Sequence, residues 1–569
     1  MDGSTNQAPK GSLFAGWLRA HAPELLFAVL LLAVLPMRDL WAPDEPDFAQ
    51  CVKEMRLRAD WLLPYLNGVP YSEKPILYYW VMKASAVLFD TLTGGLGFTQ
   101  GVAAWALRLP SVIAAVAFLS AFRRWAVRFL EPGTAEPAAL ILATTPLWFW
   151  QSQFIQIDLL FSALLAWSWL CWLGGYLLLR GPGGESTAQD ARRWFLQAYF
   201  WLALAFLAKG PLAPVLSVLV LAAFLAWQRD FPVLRRAGIV AGLCLTLLLV
   251  APWYVAAGLK GGAHYAYELI IFQNVERATK AWDHIHPWWK YFDYILGDFF
   301  PWVLLLPALA LHLRRERRLV GPAPRFLLAA FVVPFAFLSA VQSKQGKYLL
   351  MSYPFMALLL GDLFRRAEGA RVRRLGLLLT AGLALPTLAL VVLALGAGGA
   401  KLQVQVAPFL GPLRLMALLM VGGTLLLAAQ AWRKQAGRLV PATALSLGLL
   451  YLVGGTWGFH LLDSAKNYRR WTAAVQPLIA GRQVFYWQTI RSGVMVYTDH
   501  LMPELRSAGA LERLDPEARL VAQRGEWEQD AWGMTPALRA RFEVLAAVPT
   551  GGGEILLLKK KTDPAPERP

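Results

Sequence analysis

Asp44, Glu45, Glu73 and Lys74 fall within one polar stretch, which starts where the first long apolar run of the chain ends. A carboxylate held against an acceptor hydroxyl can act as a general base. A fixed cation can stabilise negative charge that develops on a leaving group. The stretch runs from Pro43-Asp44-Glu45-Pro46 to Tyr71-Ser72-Glu73-Lys74-Pro75, then Tyr78-Tyr79-Trp80. A further carboxylate, Asp158, opens a later apolar run. Carboxylates, a lysine and aromatics gathered at a membrane surface suit chemistry on a lipid-linked substrate. Taken singly, each residue has an ordinary role. Asp44 beside proline can cap a helix, and tyrosine and tryptophan commonly anchor chains at the membrane interface. The grouping is what exceeds the ordinary, because ionisable residues at membrane depth are functional candidates by default.

Helices and membrane spans must position these groups. Pro43 and Pro46 favour a helix from Asp44 through Arg58, with Phe48, Val52 and Met55 at helical spacing in the interface. A second short helix is expected over Pro75–Phe89. The rest of the chain is dominated by apolar runs. Of its 569 residues, 57% are hydrophobic and 16% charged, and the mean hydropathy is +0.44. Soluble domains average about 45–50% apolar and about 25% charged. Ile239–Ala257, Phe326–Val341 and Leu375–Leu395 carry no charge at all, and each approaches the roughly 17–25 residues of a membrane helix. The expected class is therefore an all-α polytopic membrane protein with amphipathic helices in its first outer loop.

Thirteen apolar runs can be counted, near 23–40, 102–122, 134–150, 157–179, 194–208, 210–227, 237–258, 295–313, 326–342, 348–364, 375–396, 412–431 and 439–461. The basic clusters, from Arg123-Arg124-Arg128 to Arg433-Lys434-Arg438, all follow even-numbered runs. The positive-inside rule makes that side cytoplasmic, together with an N-terminus carrying Lys10 and Arg19. The outer face then receives 41–101, the loop at Gln151–Asp158, the loop at 259–294, the Ser343–Lys347 connection and the C-terminal tail. The first run lacks a small-residue cleavage site and is expected to stay as an anchor. The net charge of +18 is accounted for by these clusters. They form no basic stripe interleaved with aromatics, which argues against a nucleic-acid partner. Cys51, Cys171 and Cys244 show no ligand spacing and read as packing residues.

Two domains are expected: 1–462 in the membrane and 463–569 as a small outer α/β domain. In the tail, Val484–Trp487, Val494–Thr498, Leu520–Ala522 and Ile555–Leu558 read as strands, and Pro503–Ala508 and Pro536–Phe542 as short helices.

The motifs resemble those of the bacterial ArnT-like glycosyltransferases, relatives of the protein O-mannosyltransferases in the membrane-embedded superfamily C. Asp44-Glu45 is followed after about thirty residues by Leu66-Asn67-Gly68-Val69-Pro70-Tyr71-Ser72-Glu73-Lys74-Pro75 and an aromatic-rich helix. Gln156-Ile157-Asp158 looks like the family's second acidic position, and Asn274-Val275-Glu276-Arg277 like its His-x-x-Arg segment. His286-Pro-Trp-Trp289 and Pro301-Trp302 match the aromatic close of that loop. Ser343-Lys344, Lys347-Tyr348 and Tyr353-Pro354 resemble its late Ser-Lys/Tyr motif. The resemblance covers about residues 20–365.

This resemblance implies single displacement, with inversion, of a sugar from a polyprenyl (undecaprenyl) phosphate donor to an envelope acceptor. It implies an inner-membrane enzyme acting at its periplasmic face. Asp44 would be the general base, with Asp158 as second choice; one of them would position the donor sugar instead, and a phosphate acceptor would need no base. Lys74 and Arg277, with the hydroxyls of Tyr71 and Tyr348, would hold the donor phosphate. Glu45, Glu73 and Lys344 would support the site. Some members share a divalent metal between a loop histidine and the glutamate matching Glu73. Here Phe272 and Asn274 stand where those histidines fall, and the spacing of His264, His284 and His286 defines no metal site. Lipid A receiving 4-amino-4-deoxy-L-arabinose is the best-known family role; hexose or pentose transfer to another glycan, lipid or protein is the alternative. A lipid-linked sugar transporter or flippase is the reading from another class. Such a protein more often shows inverted repeats; this chain shows no clear repeat and gathers its polar motifs at one face.

Overall fold

The computed structural model describes residues 21–93, 103–181, 185–276, 284–315, 321–397, 400–488, 492–498, 500–550 and 553–561. Among them seven helices are long and apolar enough to cross a membrane: Ala104–Phe129, Ile157–Arg180, Ile239–Gln273, Pro322–Ala340, Gly369–Ala394, Leu402–Trp432 and Ala436–Ile479. An eighth is counted if the pair Lys290–Asp298 and Trp302–Arg315, which meet at 111°, forms one broken span. Ala22–Val34 and Leu212–Gln228 are apolar but shorter. The chain is a multi-pass membrane protein.

Proline explains several departures from the thirteen expected runs. The run at 134–150 divides into Ala135–Ala143 and Pro146–Ser152. Pro146 cannot donate to the preceding turn, so it begins a new helix. The run at 348–364 starts as a 3₁₀ turn, Gly346–Ser352, and becomes α-helical at Tyr353, ahead of Pro354. Pro301 marks the break of the bent pair. Ile157–Arg180 forms the centre of the bundle, with 83% of its apolar window buried, whereas only 17% of the Ile239–Gln273 window is covered. The bundle core packs Trp125, Trp148, Trp169, Phe326 and Tyr353 together.

The helices of the first outer loop are Asp44–Leu57 and Leu77–Thr93, the second shifted two to four residues from the expected Pro75–Phe89. Between them lies a hairpin of β1 (Tyr65–Leu66) and β2 (Val69–Pro70). Its turn residues Asn67 and Gly68 both have positive φ, +55° and +83°, the geometry for which Asn-Gly is favoured. Val52 and Met55 do not lie in the interface as the spacing suggested. They are fully buried, in an apolar core that also takes in Tyr79 and Met82 of the next helix and Trp471, Val494 and Met502 of the tail.

The tail carries a five-stranded sheet of β3 (Val484–Trp487), β4 (Glu504–Leu505), β5 (Arg519–Gln523), β6 (Phe542–Thr550) and β7 (Gly553–Lys560), in the order β4-β3-β5-β7-β6. β3 pairs in parallel with β4 and β5, and β7 pairs antiparallel with β5 and β6. The expected strand Val494–Thr498 is instead a short helix, Ser492–Met495, with a following turn. The expected helix Pro503–Ala508 is replaced by β4 and a helix starting at Ala508. The helix Phe459–Lys466 crosses residue 463, and the backbone leaves helical geometry at Asn467.

Candidate functional site

Asp44 and Asp158 each sit in the first turn of a helix, Asp44–Leu57 and Ile157–Arg180, where the helix dipole favours a carboxylate. The fold brings them to the same cation. Lys347 Nζ lies 3.1 Å from Asp44 Oδ2 and 3.7 Å from Asp158 Oδ2. Gln156 Nε2 donates to Asp44 Oδ2 at 2.6 Å, and Lys209 Nζ donates to Asp158 Oδ1 at 2.5 Å. Burial opposes the charge on Lys347, but Asp158 and Asp44 overcome it and hold the ammonium well above the ordinary lysine range. Lys347 therefore stays cationic at neutral pH.

Lys209 ends the helix Glu185–Lys209, and Gly210, at φ +82°, turns the chain into Leu212–Gln228. A left-handed residue at this break is suited to glycine. The Lys209 ammonium stands 4.3 Å from the centre of the Tyr348 ring, a cation–π distance.

These groups line a polar cavity of about 280 Å³, together with Asp47, Phe48, Tyr71, Glu73, Lys74, Tyr79 and His284. Burial, together with the nearby Glu73 carboxylate, raises the Tyr71 phenol far above its usual range, so it remains a neutral donor. Lys74 Nζ is 3.9 Å from Glu73 Oε2. A second cavity of about 330 Å³ adjoins the first and shares Glu73, Lys74, Lys209 and Tyr348 with it. Its remaining wall is mostly apolar, including Leu212, Val215, Leu269, Phe337 and Leu338. The result is a charged chamber beside a greasy groove, with four residues common to both walls.

Glu45 stands behind the chamber and is not among its lining residues. It is 1% exposed and accepts from Arg38 Nη1 at 2.5 Å, Arg108 Nε at 2.8 Å, Trp41 N at 2.9 Å and Ile155 N at 3.0 Å. Burial works against the carboxylate, but Arg108 and Arg38 outweigh it and hold Glu45 down at about 2. Through Ile155 it ties the segment bearing Asp158 to the residue next to Asp44.

The structure thus gathers Asp44, Asp158, Lys74, Tyr71, Tyr348 and Glu73, with Glu45 as their support. Lys344 is placed elsewhere: it is buried, its ammonium donates to Val341 O, and it does not line the chamber. Lys347, three residues on, takes that position. Arg277 lies outside the described residues, and of Asn274 and Glu276 only the backbone is described. The sequence reading missed Lys209 and Lys347 as site cations. An available signal was Lys209 itself, an ionisable residue interrupting two apolar runs.

Among the described residues, no group of three or more His, Cys, Asp or Glu side chains could hold a metal ion. Glu73 has Lys74 and Tyr71 as neighbours, and His264 pairs with Glu268 at 3.2 Å. This donor set does not fit the shared metal that the resemblance implies, so no step is assigned to one.

A family model described as dolichyl-phosphate-mannose-protein mannosyltransferase matches residues 73–255. The undecaprenyl phosphate-alpha-4-amino-4-deoxy-L-arabinose arabinosyl transferase of Pectobacterium atrosepticum is 31% identical over 475 residues, which cover 81% of this chain and 80% of that protein. The corresponding transferase 1 of Pseudomonas fluorescens is 28% identical over 350 residues, covering 60% of this chain and 57% of that protein. Across this and six further such relatives from Pseudomonas and Shewanella, the chain spans 57–63% of the relative's length. The fold matches a crystal structure of ArnT from Cupriavidus metallidurans bound to undecaprenyl phosphate, with a TM-score of 0.73 and 20% identity, over 95% of this chain and 98% of that one.

Proposed function

Because this chain belongs to the family of undecaprenyl phosphate-alpha-4-amino-4-deoxy-L-arabinose arabinosyl transferases, we propose that it transfers a sugar from an undecaprenyl phosphate donor to an envelope acceptor. The relatives' names point to 4-amino-4-deoxy-L-arabinose as the sugar, and the family's best-known acceptor is lipid A. The observation that carries the reading is the charged chamber set against an apolar groove, with Glu73, Lys74, Lys209 and Tyr348 in both walls. A polyprenyl phosphate has the same two halves: an isoprenoid for the groove and a phosphosugar for the chamber.

In this reading the acceptor oxygen attacks the anomeric carbon as the bond to the donor phosphate breaks, with inversion. Lys74, Lys209 and Lys347 face the phosphate, where fixed cations stabilise the charge that grows as it departs. Arg277 joins them on the strength of its motif, and Tyr71 and Tyr348 offer hydroxyls. Asp44 takes the acceptor proton when the acceptor is a hydroxyl. Asp158, held by Lys209 at 2.5 Å, positions the donor sugar. Glu45 keeps both carboxylate segments in register.

We further propose thirteen spans in the bacterial inner membrane, with the N-terminus cytoplasmic and the chamber on the periplasmic side. The placement of every basic cluster after an even-numbered run supports this. The division into a membrane domain, 1–462, and a periplasmic domain, 463–569, is retained, with the change of backbone geometry at Asn467 as its local mark.

The test is transfer in lipid nanodiscs from undecaprenyl phosphate carrying labelled 4-amino-4-deoxy-L-arabinose to lipid A, read by mass spectrometry. Modified lipid A is expected. A protein that transfers nothing from pentose- or hexose-bearing donors, yet moves the donor across a sealed vesicle, would establish the flippase instead.

A further inference from the structure

Residues Val496, Tyr497 and Thr498 of the tail touch the first outer loop on both sides of Asp44. Lys53 Nζ donates to Val496 O at 3.1 Å and to Thr498 O at 2.8 Å. Tyr497, between them, donates its hydroxyl to Asp39. Lys53 is 5% exposed. It lies nine residues after Asp44 on the same helix, so at about 100° per residue it occupies the opposite face. Asp44, Asp47 and Phe48 line the chamber from the front of that helix, and Lys53 is gripped from the back. The two carbonyls belong to the turn that follows the helix Ser492–Met495, and lysine is well matched to such free C-terminal carbonyls.

Two further anchors fix the ends of the same segment. Upstream, Asp463 Oδ1 accepts from Asp39 N and from Trp41 Nε1, both at 2.8 Å, and Arg469 pairs with Asp39. Downstream, Asn67 Nδ2 donates to Met502 O at 2.8 Å while Met502 N donates to Asn67 Oδ1 at 2.9 Å. Glu54, one residue beyond Lys53, binds the Asn67 and Gly68 amides at 2.7 and 2.9 Å, linking the helix to that hairpin. Ala49, Cys51, Val52 and Met55 share one apolar core with Trp471, Val484, Val494 and Met502.

We propose that the tail is a clamp that sets the position of Asp44, with Lys53 as its positioning residue. The proposal rests on the catalytic reading of Asp44 above. An apolar interface alone would hold the helix against the tail but allow it to slide. The buried ammonium between two carbonyls fixes its axial position, because any shift breaks both hydrogen bonds and takes two carbonyl acceptors from their donor. A misplacement of about 1 Å at a reacting group can cost as much as 100-fold in rate.

The test uses the full chain in nanodiscs and compares Lys53→Met, Lys53→Arg, Tyr497→Phe and Asn67→Ala with the parent. Transfer kinetics, binding of undecaprenyl phosphate and thermal unfolding are measured for each. For Lys53→Met, kcat should fall about 10–100-fold, while undecaprenyl phosphate affinity stays within about two-fold, because Lys74, Lys209 and the groove are untouched. Lys53→Arg should recover most of kcat, since a guanidinium can also serve two carbonyls. Tyr497→Phe removes one hydrogen bond to the Asp39 carboxylate and Asn67→Ala the reciprocal pair with Met502; both should give smaller losses of kcat, again without loss of lipid binding. If Lys53→Met does not fold, these two variants decide the matter. Folded variants with kcat within two-fold of the parent would overturn the clamp, as would losses confined to KM. A parent that transfers no sugar would instead remove the functional reading on which the clamp rests.

Discussion

At the scale of the residue, two adjacent carboxylates have opposite duties. Asp44 is 35% exposed on its side chain and faces the chamber, whereas Glu45 is 1% exposed and accepts from two arginines. Asp44→Asn keeps the hydrogen bond from Gln156 and removes the basic oxygen. Transfer to a hydroxyl acceptor should fall by at least about 100-fold, with undecaprenyl phosphate binding retained in a titration. Glu45→Gln should act on stability instead, because it strands Arg38 and Arg108 without their shared anion. Removing one partner of a buried pair costs about 3–5 kcal/mol, visible as a lower melting temperature in detergent. The pH dependence follows from the sign of the shift. In the fold the carboxyl is held at about 2, below its ordinary 4.5, so the contribution is full above pH 4.5 and is lost as pH falls towards 2. A wild-type melting curve that showed the same acid slope as Glu45→Gln would contradict this. The two carboxylates are legible as a pair in the sequence. Their division is not, because it depends on Arg108, which arrives from a helix sixty-three residues on.

At the scale of the element, apolar periodicity located the helices, but not the breaks that make the site. Lys209-Gly210-Pro211 reads as a weak point between two runs; in the fold it delivers a lysine to Asp158 and Tyr348. Gly210→Ala forces a side chain into φ +82°, which costs about 1–2 kcal/mol for an L-residue in this region. If the local chain relaxes by rotating Lys209 away, transfer should fall more than the lost stability explains, and differential scanning calorimetry beside the rate assay measures both. An unchanged rate at reduced stability would make Gly210 a structural hinge only. The late motif shows the same limit of sequence reading. Lys344 and Lys347 are three residues apart; Lys344 turns its ammonium back to Val341 O, while Lys347, within the 3₁₀ turn Gly346–Ser352, enters the chamber. In the tail, Val494–Thr498 has the β-branched alternation of a strand. It turns instead, because β3 already pairs with β4 and β5, and its carbonyls serve Lys53.

At the scale of the whole molecule, composition was enough to assign the membrane class, while the orientation is an argument from charge. The six basic clusters all follow even-numbered runs, and the positive-inside rule would then put them on the cytoplasmic side and the chamber on the other. The tail core shared with the first outer loop makes the consequence stronger: the tail and the chamber must lie on the same side. A single-cysteine accessibility experiment tests both statements together. The native thiols give little background, since Cys51 and Cys171 are buried and Cys244, though exposed, lies on the apolar helix Ile239–Tyr267, which is long and apolar enough to cross a membrane and so is screened from an impermeant reagent. Gln529 is exposed in the tail and Arg236 is exposed beside a basic cluster. In intact spheroplasts, a membrane-impermeant maleimide should label Gln529→Cys, and should label Arg236→Cys only after permeabilisation. Labelling of Arg236→Cys first would invert the orientation. Labelling of both from outside would break the alternation on which the count of thirteen spans depends.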